Sequence, residues 1–152
     1  MATLVDTCVL LRAFDANYPD YRAIRKALRK ALDDQERLVV TVQNIAEFWN
    51  AATRPLENNG QGLSAERAKR RVGIIERVCE VVSEDDASYV QWKRLVEDYA
   101  VTGVSAHDTR LVSVMLRLNV KQILTLNERH FKRYAAEGIV VTSPQPFGGE
   151  ST

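Results

Sequence analysis

The chain has 152 residues, 45% hydrophobic and 27% charged, with a formal net charge of +1. That length fits one domain able to bury roughly two-thirds of its unfolded surface, and the near-zero charge excludes a protein that coats nucleic acid through charge alone. Cys8 and Cys79, outside any Cys-x-x-Cys or Cys/His cluster, offer no zinc centre. The opening residues, with Asp6, Arg12 and Asp15 and no basic leader, suit neither a signal peptide nor a membrane span. The expectation is a cytoplasmic protein with reduced thiols and no membrane association.

Short β-type runs alternate with helical patterns along the chain, as in βα units around a mainly parallel sheet. Thr3 to Val5 reads as a strand that runs through Asp6 into a short helix with Val9, Leu10 and Leu11. A helix from about Tyr18 to Asp33 carries the apolar stripe Ile24, Ala27, Leu28, Ala31, Leu32 and, on another face, Arg22, Arg25, Lys26, Arg29 and Lys30. Leu38 to Val42 is the second predicted strand, and Thr41 is the expected N-cap of the helix carrying Glu47, which stops before Pro55. A loop at Asn58–Gly62 leads to a helix capped by Ser64 and reaching about Val78. Val81–Val82 is a short strand, and Ser83 with Asp86 has capping-box spacing for a helix over Asp85–Ala100. Gly103 breaks the chain before a helix from Ser105 to about Leu118. Gln122–Thr125 and Ile139–Thr142 are the last strands, so a single domain is expected over residues 1–147 and a flexible tail over 148–152.

Four polar side chains, Asp6, Glu47, Asp108 and Asn127, stand where an apolar run gives way to a helix or turn, and together they compose a candidate magnesium site. Each also has a structural reading. Asp6 suits a helix cap, although ligands collect beyond the carboxyl ends of parallel strands, where it lies. Glu47 is on a polar helix face, which is ordinarily just solvated. Asp108 precedes Leu111, Val112 and Met115 by three, four and seven residues and so faces the core, where a carboxylate is costly unless paired, yet Ser105 and Asp108 also have capping-box spacing. Asn127 suits a turn. What favours a shared site is that all four begin elements that follow strands, so a parallel sheet brings them to one rim.

The segments Val5-Asp6-Thr7-Cys8-Val9-Leu10-Leu11, Asn44-Ile45-Ala46-Glu47-Phe48, His107-Asp108-Thr109-Arg110-Leu111 and Leu124-Thr125-Leu126-Asn127-Glu128-Arg129-His130-Phe131 resemble the ordered motifs of PIN-domain ribonucleases, in particular VapC-type toxins of bacterial toxin–antitoxin pairs. The resemblance implies a three-layer α/β/α sandwich on a mainly parallel sheet and a metal-dependent endoribonuclease. Asp6, Glu47 and Asp108 match its acidic positions for magnesium or manganese, while Asn127 stands where many members carry a fourth carboxylate. It also implies an RNA substrate and a small antitoxin partner, and pairing of two copies as a homodimer is compatible with it.

In that mechanism a metal-activated water attacks the phosphodiester in line, Thr7 and Thr125 support the carboxylates, and Arg54, Arg110 and Arg129 are candidate phosphate contacts. His107 and His130 flank two motifs and read as surface or packing residues, with a general-acid role open. Trp49 and Trp92 read as packing residues. A haloacid-dehalogenase-type phosphatase needs a second aspartate where Cys8 stands, and a receiver domain needs an acidic pair at the first strand; neither fits. A catalytically silent PIN-like domain that binds RNA or protein stays open because of Asn127.

Overall fold

The computed structural model describes residues 1–144. The expected tail over 148–152, and the domain limit at 147, lie outside the described residues. A parallel five-stranded sheet has the order β3-β2-β1-β4-β5, with β1 Ala2–Val5, β2 Arg37–Thr41, β3 Glu80–Val82, β4 Gln122–Leu124 and β5 Val140–Thr142. Between them run α1 Thr7–Arg12, α2 Tyr21–Asp33, α3 Val42–Thr53, α4 Ala65–Val78, α5 Asp86–Asp98 and α6 Ser105–Leu118.

Alternation along the strands builds two cores, because successive side chains leave opposite faces of a sheet. Val5, Leu38, Val40 and Leu124 pack with Val9, Leu10, Ile24, Phe48 and Ile75 of α1 to α4. Leu4, Val39 and Ile123 pack on the other face with Leu95, Leu111, Val112 and Met115 of α5 and α6, and with Phe131 and Tyr134. These are the three layers of an α/β/α sandwich. The central strands are apolar on both faces because both are covered.

Several local details differ from the sequence reading. α2 begins at Tyr21, not Tyr18: Tyr18 precedes a proline, which disfavours helical backbone, and its carbonyl instead closes a turn by accepting from Tyr21 N–H at 3.0 Å. The capping box of α5 is Asp85 with Ser88, where Ser88 N–H donates to Asp85 Oδ1 at 2.8 Å and Asp85 N–H to Ser88 Oγ at 2.8 Å. Ser83 and Asp86 have the same spacing, but the chain stays extended through Asp85, so the register falls two residues later. At α6 the preceding Val104 is already helical and no side chain caps the helix, which removes the capping role expected for Asp108. Leu32 and Trp49, read as stripe residues, are 40% and 37% exposed. Among the described residues no helix is long and apolar enough to cross a membrane.

Candidate functional site

The strand order reverses direction at β1: two successive crossovers lead outward to β2 and then β3, and the chain returns to β4 and β5 on the other side. Such a switch point leaves a crevice beyond the carboxyl ends of the two adjacent strands, here β1 and β4. Asp6 and Thr125 follow those ends and meet across it.

Asp6 is buried at 7% exposure, and both oxygens of its carboxylate accept hydrogen bonds. Oδ1 accepts from Thr7 N–H at 2.8 Å, the capping bond expected of it. Oδ2 accepts from Thr125 Oγ1 at 2.7 Å and from the Cys8 thiol at 3.4 Å. Thr125 is itself fully buried and accepts from Asn127 N–H at 2.9 Å, so its single hydroxyl hydrogen is left for Asp6. Burial, reinforced by the charge of Asp6, pushes the Cys8 thiol up to about 12, so Cys8 stays a protonated donor.

Glu47 is exposed on α3, one turn beyond Asn44. Its Oε1 accepts from Thr7 Oγ1 and from Gln43 Nε2, both at 3.3 Å. Gln43 Nε2 also donates to the His107 carbonyl at 2.9 Å, which ties α3 to the first turn of α6 next to Asp108. Asp108 is half-buried, and His130 Nδ1 lies 3.2 Å from its Oδ2. Burial raises the affinity of this carboxyl for a proton above the ordinary range; the charges of Asp6 and Glu47 add to the rise, while His130 and His107 oppose it. Asp6 and Glu47 therefore act on Asp108 across the crevice.

Asn127 is placed differently. Its side chain is exposed, beside a separate depression lined by Asp20, Arg129 and His130, and its link to the crevice runs through its backbone N–H. Arg129 shares that rim. Arg110 lines a groove of about 630 Å³ that begins at Glu47, and Glu84 holds its guanidinium through bonds of 2.8 and 3.1 Å. Arg54 donates to the Asn59 carbonyl at 3.2 Å and so braces the loop after α3. Thr7 and Thr125 do contact the carboxylates. The sequence reading missed Asn44, a fully buried amide behind Thr7, and the pairing of His130 with Asp108. The signal for Asn44 was present, as a polar residue three positions after the Thr41 cap.

Oxygen donors, with no free thiolate, suit a hard divalent cation such as magnesium or manganese. Among the described residues no three His, Cys, Asp or Glu side chains stand close enough to share one ion directly. Magnesium keeps several of its waters, so the donor chemistry fits without direct ligation by every carboxylate.

A PIN-domain family model matches residues 3–137. The chain belongs to the PIN-domain family. This PIN domain is 31% identical over 129 residues to Ribonuclease VapC26 of Mycobacterium tuberculosis, covering 84% of this chain and 88% of that protein. Its fold is similar to VapBC2 of Rickettsia felis, solved bound to a DNA fragment from their promoter: TM-score 0.68, 13% identity, 94% of this chain and 98% of the other. It is also similar in fold to VapC20 of Mycobacterium tuberculosis, described as a sarcin-ricin loop cleaving toxin: TM-score 0.62, 16% identity, 91% and 96%.

Proposed function

We propose that this PIN domain is a divalent-metal-dependent endoribonuclease, the toxin of a toxin–antitoxin pair acting in the cytoplasm. The observation that carries the reading is the set of three carboxylates, Asp6, Glu47 and Asp108, around the switch point of the sheet, with Thr125 bonded to Asp6, Thr7 to Glu47, and Gln43 linking Glu47 to the turn that carries Asp108. The likeness to Ribonuclease VapC26 supports RNA as the substrate, and with the acidic trio intact it favours catalysis over a silent binding domain.

Bound magnesium or manganese supplies a water of lowered pKa and offsets charge on the leaving oxygen. Asp6, Glu47 and Asp108 are the side chains that would hold it. Thr125 and Thr7 N–H fix the Asp6 carboxylate, and Thr7 with Gln43 restrains Glu47. His130 Nδ1 stands 3.2 Å from Asp108 Oδ2 and would orient that carboxylate toward the ion. The groove from Glu47 to Arg110 would seat the RNA strand, with Arg110 available to a phosphate once it leaves Glu84.

The fold likeness to a VapBC complex supports a small antitoxin partner. Between α2 and α4 runs an apolar groove of about 450 Å³ with Leu32, Ile74 and Val78 exposed and Arg25 and Arg29 on its wall. It suits an amphipathic segment with acidic flanks. Pairing of two copies into a homodimer is part of the same reading, and light scattering of the purified protein tests it.

Mixed RNA incubated with the purified chain and magnesium should be cut, and Asp6→Asn or Asp108→Asn should abolish the cutting. Cleavage that survives either substitution, or that persists in EDTA, overturns the metal mechanism. Expression of soluble chain alone in bacteria should arrest growth; normal growth counts against the toxin role.

A further inference from the structure

Glu47 is the exposed member of the trio, and among the described residues its Oε1 is held by two contacts of 3.3 Å. Behind one of them stands Asn44, fully buried on the first turn of α3. Asn44 Oδ1 accepts from the Thr41 backbone N–H at 2.9 Å and from the Thr41 hydroxyl at 3.0 Å. A backbone N–H can only donate, so the amide oxygen is fixed toward Thr41 and the amide nitrogen faces away from it. That nitrogen, Nδ2, lies 3.0 Å from Thr7 Oγ1. Because Nδ2 can only donate, Thr7 Oγ1 accepts from it, and the one hydrogen of the Thr7 hydroxyl remains for Glu47.

The cap of α3 uses only the oxygen of the Asn44 amide. An aspartate at this position would satisfy Thr41 equally well and is favoured in a helix first turn. The nitrogen is the part the cap does not need, and it points at Thr7. Thr125 is arranged alike: an N–H donates to the hydroxyl, which in turn donates to Asp6.

We propose that Asn44 is a positioning residue of the nuclease site: its amide N–H commits the Thr7 hydroxyl hydrogen to Glu47 and so ties an exposed carboxylate to the end of β1. This rests on the nuclease reading given above. The substitution Asn44→Asp keeps the acceptor for Thr41 but turns the group facing Thr7 from donor to acceptor, so the hydroxyl hydrogen is drawn away from Glu47.

The test compares full-length wild type, Asn44→Asp, Thr7→Val, Thr7→Ser and the Thr7→Val/Asn44→Asp double variant. Read-outs are RNA cleavage with magnesium, manganese affinity from the paramagnetic signal of free ion, and thermal unfolding. Asn44→Asp, which buries a carboxylate, should unfold below the wild-type temperature yet stay folded at the assay temperature, with kcat lower by about ten- to a hundredfold and KM little changed. Its manganese affinity should fall, although the added negative charge alone would raise it. Thr7→Ser, which keeps the hydroxyl, should lose much less than Thr7→Val, and the double variant should be no worse than the worse single one, because both remove the same contact.

Wild-type kcat and manganese affinity in Asn44→Asp, tighter manganese binding by it, or losses that add in the double variant would each overturn the proposal. So would Thr7→Val matching Thr7→Ser, however Asn44→Asp folds. Wild type that binds manganese but cuts no RNA removes the nuclease reading, and a loss of manganese affinity in Asn44→Asp then still upholds the positioning role. Wild type that binds no manganese overturns that role, since nothing at Glu47 would be positioned.

Discussion

Thr125 Oγ1 donates to Asp6 Oδ2 at 2.7 Å, joining residues 119 positions apart at the ends of adjacent strands. Both residues are buried, and the same hydroxyl accepts from Asn127 N–H. Thr125→Val keeps the shape and removes the hydroxyl. It should lower cleavage by about ten- to a hundredfold and stability by about 1–3 kcal/mol, the cost of leaving buried polar groups unpaired. Single-turnover cleavage and urea unfolding measure the two losses.

Asn127 reaches the site through its backbone, which any residue except proline supplies. Asn127→Ala should therefore cost much less activity than Thr125→Val, with manganese affinity close to wild type. Parallel assays of the two variants decide whether the side chain or the backbone of residue 127 matters.

Asp108 carries a desolvated charge facing two others. Without divalent ions, Asp108→Asn should stabilise the protein and raise its melting temperature, because it removes a desolvated charge. Adding magnesium should raise the wild-type melting temperature more than that of the variant. Calorimetry with and without the ion is the check.

Arg94 makes bonds of 2.9 and 3.1 Å to Glu137, linking α5 to the segment before β5, and holds the Glu137 carboxyl below its ordinary range. A depressed carboxylate contributes stability that is present above its unfolded value and lost as pH falls through its folded value. Arg94→Gln should thus destabilise at pH ~7 by less than about 1 kcal/mol, since Arg94 is partly exposed. The difference from wild type should vanish in acid below the ordinary carboxylate range. Urea unfolding at the two pH values tests the sign.

Glu84 engages the guanidinium of Arg110 on the groove wall. Glu84→Gln should release it and tighten binding of single-stranded RNA at low salt, whereas Arg110→Gln should weaken it. The gain should disappear in the double variant; a gain that persists there would assign it to lost repulsion alone.

Local pattern determined much of this molecule. Apolar runs alternating with helical stripes made a parallel α/β sheet legible, and the end of the first run marked Asp6, because a strand's carboxyl end is set by its own residues; Asp108 instead opens a helix that follows another helix, and Glu47 lies within α3. The family motifs were equally legible, being short and ordered. Cap registers were less so: Ser83 with Asp86 and Asp85 with Ser88 fit the same spacing rule, and only the extended backbone through Asp85 selects one of them. The roles of the site residues lay further out of reach. Hydrogen-bond direction depends on which donors surround a group, and those come from distant elements: Thr125 to Asp6, Asn44 to Thr7, and His130 to Asp108. The sequence by itself determined which polar residues reach the rim of the sheet. The tertiary structure decided which are buried, which are held by another residue's hydrogen, and that Asn127 meets Thr125 through its backbone N–H, since desolvation and hydrogen-bond partnership exist only once the strands lie side by side.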